Sequence, residues 1–396
     1  MGKNFFTLKI SRDGIVTLFF VFLTIPYLQP VYLDRFIIIN RVLDVWQMVA
    51  FVIILFILFS KVRHVTCLAL LICLSQIYLV TVTWVQNGEI YACMRNSFVI
   101  ICITLFYDFA VKMDKISFLK SQFFSLSLVI VINFITILMY PDGMEKSALS
   151  GNSKVWFLGF YNSYTMYFIP ALLFGYLLRL YMDRKIMIYL VTAVIYISAF
   201  QIWAGGTILS LSIMGIVYLI LKRDNIILNY YSYWIVQIAF YVVVIVMKVY
   251  KYFIWLIEGI LGKLMSLLGR MYVWDITRHM IRQHIWFGYG IKSDAVRIQE
   301  YGIAAWARYA HNLLLEILYQ GGLVYLSLFV IIIILAGKNL HNVHRKEIAG
   351  MISIAFLGWT IQSFSDAYLS TFLVGMFIVA YNCLEFDEFR QEEEYG

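Results

Sequence analysis

Apolar residues fill most of the chain in stretches of about 20, separated by short polar segments. A helix needs about 20 mostly apolar residues to cross a bilayer, so each stretch predicts one spanning helix. The predicted spans lie near residues 15–30, 42–60, 65–84, 93–111, 117–140, 155–181, 186–202, 204–221, 231–250, 312–336, 348–365 and 367–384. Several are short, so ten or eleven spans also fit. The pattern therefore predicts an all-α polytopic membrane protein with about 11–12 transmembrane helices.

The composition supports the same class of protein. Of the 396 residues, 62% are hydrophobic and 14% are charged, and the mean hydropathy is +0.82. A soluble domain is about half apolar and about a quarter charged. The five cysteines lack the spacing of a zinc site or a disulfide framework, so we interpret them as apolar side chains of the spans.

Lysine and arginine fall unevenly on the two sides of the predicted spans. Cytoplasmic loops are rich in these residues, and the bias is satisfied when the N-terminus is inside. The short outer segments then carry only Arg35, Arg41, Arg95, Lys146 and Lys154. We therefore predict a multi-pass plasma-membrane protein with both termini cytoplasmic. The basic N-terminus lacks a small-residue cleavage site, so we expect the first span to be retained as an anchor.

One long polar segment, residues 251–311, interrupts the apolar pattern on the outer side. The pattern predicts an interfacial helix over 251–268 and a second helix over 269–287, ended by Gly288-Tyr289-Gly290. Residues 291–310 are expected to be irregular or briefly helical. We accordingly divide the chain into an N-terminal transmembrane bundle (1–250), an external loop (251–311), and C-terminal transmembrane helices with a cytoplasmic tail (312–396).

Four residues spaced four apart form a stripe along the second loop helix: Arg270, Trp274, Arg278 and Arg282. Arginine holds phosphate oxygens in pairs, so the stripe predicts a diphosphate ligand at the membrane surface. The alternative is an interfacial helix whose cations meet anionic lipid headgroups. At about 100° per residue, Arg270 and Arg282 point about 120° apart. They can meet on one ligand only if the helix end leans into a cavity.

His311 and Asn312 stand where the loop returns to the tenth span. Near neutral pH an imidazole can take a proton from a hydroxyl, although a histidine at a helix start commonly serves as a cap or fixture. Glu316 lies one turn deeper, where ionisation costs about 2.5–3.5 kcal/mol in lipid. We expect Glu316 to face the bundle interior and to pair with an arginine of the loop. The same argument applies, more weakly, to the carboxylate of Asp366 between the last two spans.

Several motifs are absent from the sequence. It contains no Walker loop, no HExxH and no outward DxD pair, so ATP and a metal-bound nucleotide sugar both lack support. We expect no metal, no cofactor and no nucleic-acid partner. A lipid-diphosphate donor would need neither ATP nor a metal, because its leaving group is already activated.

Three short motifs on the loop resemble, in their order, the O-antigen polymerase and ligase superfamily (Wzy/WaaL-like proteins). The motifs are Arg270-x3-Trp274, Gly288-Tyr289-Gly290 and His311-Asn312-x3-Glu316-x4-Gly321-Gly322. The earlier run from Phe157 to Ser163 resembles the LG-x2-NS segment common in Gram-positive members. The resemblance covers roughly residues 155–384.

The resemblance implies a GT-C-type, metal-independent glycosyltransferase acting at the outer face of the membrane. Its implied substrates are glycans carried on undecaprenyl diphosphate, and the transfer would invert the anomeric centre. Arg270 and His311 match the family's essential arginine and histidine and are the implied catalytic residues. The candidate substrate-binding residues are Arg278, Arg282, Arg308, Trp274, Asn312 and Glu316. Further expected partners are membrane lipid and the chain-length regulator and flippase of the same pathway.

The chain departs from the family pattern at two places. Many members carry an arginine where this chain has Trp203 to Thr207, and a proline where it has Trp286-Phe287. Arg278, Arg282 or Arg308 are candidates to replace the missing arginine. The Phe157–Ser163 run favours a Gram-positive polymerase of capsular or other exopolysaccharide. Transfer to a different acceptor, as by a ligase, is the alternative within the family.

A lipid-linked oligosaccharide flippase is the alternative from another functional class. A flippase would favour charged residues inside the bundle and short loops on both sides. The polar residues of this chain instead concentrate in one outer loop, which favours an enzyme.

Overall fold

The computed structural model describes residues 12–60, 64–146, 154–224, 229–249, 252, 264–302, 307–364, 366–367 and 369–387, and most of these are helical. The helices are α1 (Arg12–Thr24), α2 (Ile37–Ser60), α3 (Cys67–Val85), α4 (Ile90–Met113), α5 (Lys115–Met139), α6 (Thr165–Leu178), α7 (Ile186–Gln201), α8 (Gly205–Asp224), α9 (Tyr230–Phe240), α10 (Leu264–Gln283), α11 (Asp294–Tyr301), α12 (Leu313–Gly337), α13 (Lys346–Ser363) and α14 (Thr371–Tyr381). A π-helix, Tyr241–Val246, continues α9, and short 3-10 turns include Tyr161–Tyr164. Each of the twelve predicted spans overlaps one of these helices, which confirms the all-α prediction.

Apolar helices of sufficient length identify a polytopic membrane protein. Within the residues that the structure describes, five helices, α2 to α5 and α12, are long and apolar enough to cross a membrane. Other apolar helices are shorter, among them α7, α14 and α9 with its π-helical extension. Large apolar side chains point outward from the bundle; Phe59 is 88% exposed and Ile38 is 78% exposed. Such residues fit a lipid environment, where apolar exposure is not penalised. The number of helices that cross the membrane stays a prediction.

Aromatic residues from three helices fill the centre of the bundle. The Phe118 ring of α5 packs edge-on against Tyr107 of α4 (4.9 Å between centroids) and Phe174 of α6 (5.8 Å). The Tyr107 hydroxyl donates to Gln122 Oε1 at 2.6 Å, and Gln122 Nε2 donates to Thr24 Oγ1 at 2.8 Å. The buried polar groups thus pair with one another, and the chain of bonds joins α1, α4 and α5.

A small β-sheet corrects the predicted start of the sixth span. Three antiparallel strands, Glu145–Lys146 (β1), Lys154–Trp156 (β2) and Gly159–Phe160 (β3), precede α6. The prediction began this span near residue 155 because the segment is apolar, and hydropathy alone does not separate a short strand from a helix. Gly159 has a φ of +107°, which lets the chain turn between β2 and β3.

The loops and the described chain ends lie at opposite ends of the bundle. Near the start of α1, the carbonyl of Asp13 accepts the hydroxyl of Ser117 at 3.3 Å. Lys115 donates to the carbonyl of Glu385, so both described chain ends meet the α4–α5 turn. At the far end, the Tyr32 N–H donates to the Phe157 carbonyl at 3.2 Å. We call these the tail end and the loop end; which one faces the cytoplasm stays a prediction.

The loop is partly helical, as predicted. Helix α10 begins at Leu264, earlier than expected, and α11 accounts for the brief helix predicted within 291–310. The predicted interfacial helix over 251–268 falls largely outside the described residues. The loop contacts the α3–α4 turn, where the Glu89 N–H donates to the Ile291 carbonyl at 2.7 Å and Lys292 Nζ donates to the Gln86 carbonyl at 2.6 Å.

Candidate active site

Helix α12 is broken near its start, and the loop binds at the break. Gly322 adopts φ 63° and ψ −160°, which lies outside the helical region. The carbonyls of Tyr319 and Gln320 accept the N–H groups of Tyr289 and Gly290, both at 2.8 Å. Backbone groups that cannot reach water at membrane depth must be paired within the protein. The loop backbone pairs with these carbonyls, so the loop and the broken part of α12 form one structural unit.

This docking corrects the predicted role of Gly288-Tyr289-Gly290 as a helix cap. Helix α10 already ends at Gln283. A Cβ at Gly288 would lie 2.6 Å from the carbonyl oxygen of Tyr319, and a Cβ at Gly322 would lie 2.4 Å from the carbonyl carbon of Trp286. Contacts this short exclude any side chain. The glycines of both motifs therefore let the loop backbone touch the broken helix.

Helix α11 is held in place by a buried arginine, Arg297. Its Nη2 donates to Glu316 Oε2 at 3.0 Å and to the Tyr301 hydroxyl at 2.5 Å, and the guanidinium lies 3.6 Å from the Tyr319 ring centroid. Burial lowers the pKa of Arg297, but attraction to the Glu316 carboxylate and the two tyrosines raises it more, so the net pKa lies above its ordinary value. The expected pairing of Glu316 with a loop arginine is confirmed.

Glu316 also fixes the approach to His311. The oxygen that binds Arg297, Oε2, accepts the N–H of Ala310 at 2.7 Å. Ala310 precedes His311, which has a φ of +48°, a left-handed conformation that is uncommon outside glycine. Such a conformation persists only where the surroundings impose it. The carboxylate of Glu316 is one of the groups that impose it here.

Asn312 fixes the other side of His311. Its Oδ1 accepts the Leu315 N–H at 3.2 Å and so caps the start of α12. Its Nδ2 donates to the carbonyl of Phe364 at 3.3 Å, beyond the end of α13. Asn312 is fully buried. It therefore links the start of α12 to the segment that carries Asp366.

His311 lies beside the buried carboxylate of Asp366. The distance from His311 Nδ1 to Asp366 Oδ1 is 3.8 Å, which is long for a hydrogen bond but within ion-pair range. The Tyr309 hydroxyl donates to the same oxygen at 2.5 Å, and the Tyr309 and His311 ring centroids are 4.1 Å apart. The Asp366 side chain is only 1% exposed. A proton taken up by His311 would create an imidazolium that this carboxylate stabilises, as general-base chemistry requires.

Arg270 reaches the same end of the bundle from α10. In the described part of the chain, no hydrogen bond or ion pair occupies its guanidinium. Burial raises the pKa of the Tyr161 hydroxyl, the charge of Arg270 lowers it, and Asp366 raises it again. The charges of Arg270 and Asp366 therefore both lie close enough to the Tyr161 hydroxyl to influence its pKa. Asp366 also lies 3.8 Å from His311, so Tyr161 and Asp366 connect the surroundings of Arg270 with those of His311.

Residues 155–330 match the family described as O-antigen ligase. This segment, residues 155–330, is therefore similar to the O-antigen polymerase and ligase superfamily. The resemblance seen in the sequence is confirmed. Members of that family are glycosyltransferase-like enzymes, and the match supports a function of the O-antigen ligase or polymerase type. The comparisons with curated proteins and with solved structures each returned no match.

The superfamily segment contains Tyr161, Arg270 and His311 but ends before Asp366. Within it, the segment from Trp203 to Thr207 lacks the arginine that the resemblance leads us to expect. A Cβ at Gly206 would lie 2.8 Å from Gln362 Oε1. This oxygen is the end of a flexible side chain, so a larger residue at position 206 would require Gln362 to move.

The two remaining arginines of the stripe do not meet Arg270. Arg278 Nη1 donates to the Ile245 carbonyl at 3.0 Å and lies 3.8 Å from Asp275. Arg282 is exposed, and both arginines line a separate cleft described below. Helix α10 therefore does not direct the three arginines of the stripe toward one ligand.

Two other predicted substrate-binding residues have structural partners. Trp274 is 4% exposed and packs in an apolar cluster with Ile245 and Ala310, so in this conformation its ring supports the loop. Arg308 Nη1 donates to Asp294 Oδ2 at 2.8 Å on the loop surface. Their direct contact with substrate stays a prediction, as it does for Asn312 and Glu316.

Sequence reasoning missed three residues that shape the site: Tyr161, Tyr309 and Arg297. Tyr161 lies inside the Phe157–Ser163 run, and this motif points to its position though not to its contact with the site. Tyr309 and Arg297 carry no pattern that separates them from other loop residues. Only the arrangement in space identifies them.

Proposed function

We propose that this protein is a polysaccharide polymerase. It transfers a growing glycan from undecaprenyl diphosphate onto the non-reducing end of another lipid-linked repeat unit. The reaction takes place at the loop end, which in this proposal is the outer face of the plasma membrane, with both chain termini cytoplasmic. The observation that carries the proposal is the 3.8 Å pair of His311 and Asp366 in the electrostatic environment of Arg270.

The chemistry follows from the roles of these three groups. His311 takes the proton from an acceptor sugar hydroxyl as that oxygen attacks the anomeric carbon of the donor glycan. The new glycosidic bond forms as the bond to the diphosphate oxygen breaks, and the diphosphate leaves with the electron pair. Arg270 binds the charge that develops on the leaving group, while Asp366 stabilises the imidazolium. Direct attack inverts the anomeric centre without a covalent intermediate or a metal.

Polymerisation is favoured over two other functions. The Phe157–Ser163 run resembles Gram-positive polymerases, and its Tyr161 lies in the electrostatic environment of Arg270 and Asp366. A ligase would use the same site with a different acceptor. A flippase would need a polar path through the bundle, whereas the arginines discussed above gather at the loop end.

The test of the base is purified His311→Ala protein in neutral-lipid nanodiscs. Loss of a general base should reduce turnover by about 10²–10⁴-fold while binding of the lipid-linked repeat unit survives. The matched control is His64→Ala, since His64 is exposed and outside the site. Polymer length is read on gels and donor binding is measured by titration. Near-normal polymerisation by His311→Ala would remove the residue from catalysis. A joint loss of binding and expression would assign it a structural role.

Arg270→Lys tests the leaving-group site in the same assay. Removing a donor aimed at developing charge typically costs about 10²–10³-fold in rate, and lysine cannot make the paired contact. Arg184→Lys, an exposed arginine between α6 and α7, is the control. Full polymer yield from Arg270→Ala at normal protein levels would contradict the role. Transfer only to an acceptor without a lipid diphosphate would identify a ligase.

A further inference from the structure

A cationic cleft at the loop end lies apart from the His311 site. It has a volume of about 260 Å³ and lies between the end of the π-helix and one face of α10. Its lining residues are Val246, Lys248, Asp275, Arg278, His279 and Arg282. Three of these are cations and one is a carboxylate, so the cleft keeps an excess of positive charge.

The cations of the cleft are fixed in position to different degrees. Lys248 Nζ lies 2.7 Å from Asp275 Oδ2, and Arg278 Nη1 is held by the Ile245 carbonyl at 3.0 Å. Arg282 is exposed and has no hydrogen-bond or ion-pair partner among the described residues. Asp275 therefore neutralises part of the charge of Lys248 and Arg278, while the whole charge of Arg282 remains available. Two held cations and one available arginine suit the recognition of a phosphate.

The cleft and Arg270 cannot bind the same diphosphate. Arg270 precedes Arg278 by eight residues and Arg282 by twelve on one helix, which places them about 12 and 18 Å apart along the axis. Arg282 also points about 120° away from Arg270 around the helix. The buried ring of Trp274 lies between them in sequence and packs into the bundle. The protein thus presents two separate cationic sites.

A polymerase that joins two lipid-linked glycans needs two diphosphate sites placed in this way. The donor's diphosphate is bonded to the reacting anomeric carbon, so it must lie beside His311 and Arg270. The acceptor reacts through a hydroxyl at its non-reducing end, so its diphosphate lies a repeat unit away. The cleft adjoins the end of the apolar segment Tyr230–Val246, where a lipid headgroup would lie.

We propose that the cleft of Lys248, Arg278 and Arg282 binds the lipid-bound diphosphate of the acceptor substrate. This inference rests on the proposed polymerase function. It assigns Arg270 to the donor and Arg282 to the acceptor, so the two arginines should affect different binding steps.

The first test measures binding, so it does not depend on activity. Wild-type protein in neutral-lipid nanodiscs is titrated with undecaprenyl diphosphate, and the bound molecules are counted by native mass spectrometry. We expect two bound per protein in the wild type and one in either Arg270→Ala or Arg282→Glu. Lys154→Glu, which makes the same charge change at an exposed site of the loop end, should keep two. A single site in the wild type that Arg282→Glu leaves intact would overturn the proposal.

The second test separates the acceptor from the donor and from bulk lipid. Arg282→Ala should raise KM for the lipid-linked acceptor by about tenfold or more, since a charge-assisted contact is lost, and should leave KM for the donor unchanged. KM for an acceptor glycan freed of its lipid diphosphate should not change.

Equal losses with both acceptors would overturn the assignment. A defect that occurs only in vesicles containing anionic phospholipid would assign the cleft to bulk headgroups instead. Absence of polymer from the wild type, with two sites still bound, would refute the polymerase function and not the cleft.

Discussion

Replacing Arg297 with methionine removes the counter-ion of a buried carboxylate. The side chains of Arg297 and Glu316 are 3% and 9% exposed, so water cannot replace the lost partner. Glu316 would keep two donors, the Ala310 N–H at 2.7 Å and Gln320 Nε2 at 2.9 Å, but no cation. Breaking one side of a buried ion pair costs about 3–5 kcal/mol. Methionine keeps a long apolar side chain against Tyr319, so the loss of stability should come mainly from the missing charge.

The assay is thermal unfolding of the purified protein, read by loss of the monomer peak in size-exclusion chromatography. At about 2–4 °C per kcal/mol, the fall in Tm should be on the order of 10 °C. The double variant Arg297→Met, Glu316→Gln tests the mechanism. A neutral glutamine can still accept the Ala310 N–H, so the double variant should be more stable than Arg297→Met alone.

Two outcomes would refute this reasoning. A fall in Tm of only a degree or two for Arg297→Met would mean that the pair contributes little to stability. A double variant no more stable than the single variant would mean that the cost is lost packing and not an unpaired charge.

The remaining predictions concern topology and the glycine contact. In a protein cleared of its native cysteines, Ser293→Cys should react with a membrane-impermeant thiol reagent on intact cells and Asn342→Cys should not; the reverse pattern would overturn the orientation. Gly322→Ala should destabilise the loop by several kcal/mol and abolish activity, because its φ and ψ are essentially restricted to glycine and the Cβ would meet Trp286. Gly302→Ala, with a similar φ but open space, should cost about 1 kcal/mol, and equal Tm losses for the two variants would argue against a backbone contact.

The sequence alone was sufficient to predict the class of protein and the positions of most of its helices. Apolar stretches of helical length are a local property, so α2 to α5 and α12 followed directly from hydropathy. The superfamily motifs pointed to Arg270 and His311 because short patterns can mark positions without specifying contacts. The strands before α6 were missed, since an apolar strand and an apolar helix look alike over a few residues.

Tertiary structure alone decided how the motif residues are used. The sequence predicted a helix cap at Gly288 and assigned no structural role to Gly322. Only the close approach of two backbones shows that both glycines join the loop to a broken helix. Arg297, Tyr309 and Asp366 become part of the site through contacts between segments distant in the chain. The division of the stripe into an Arg270 site and an Arg282 cleft depends on which face of α10 is buried. Sequence periodicity gives the angle between two residues on a helix, but the direction of each face is set by the helices packed against it.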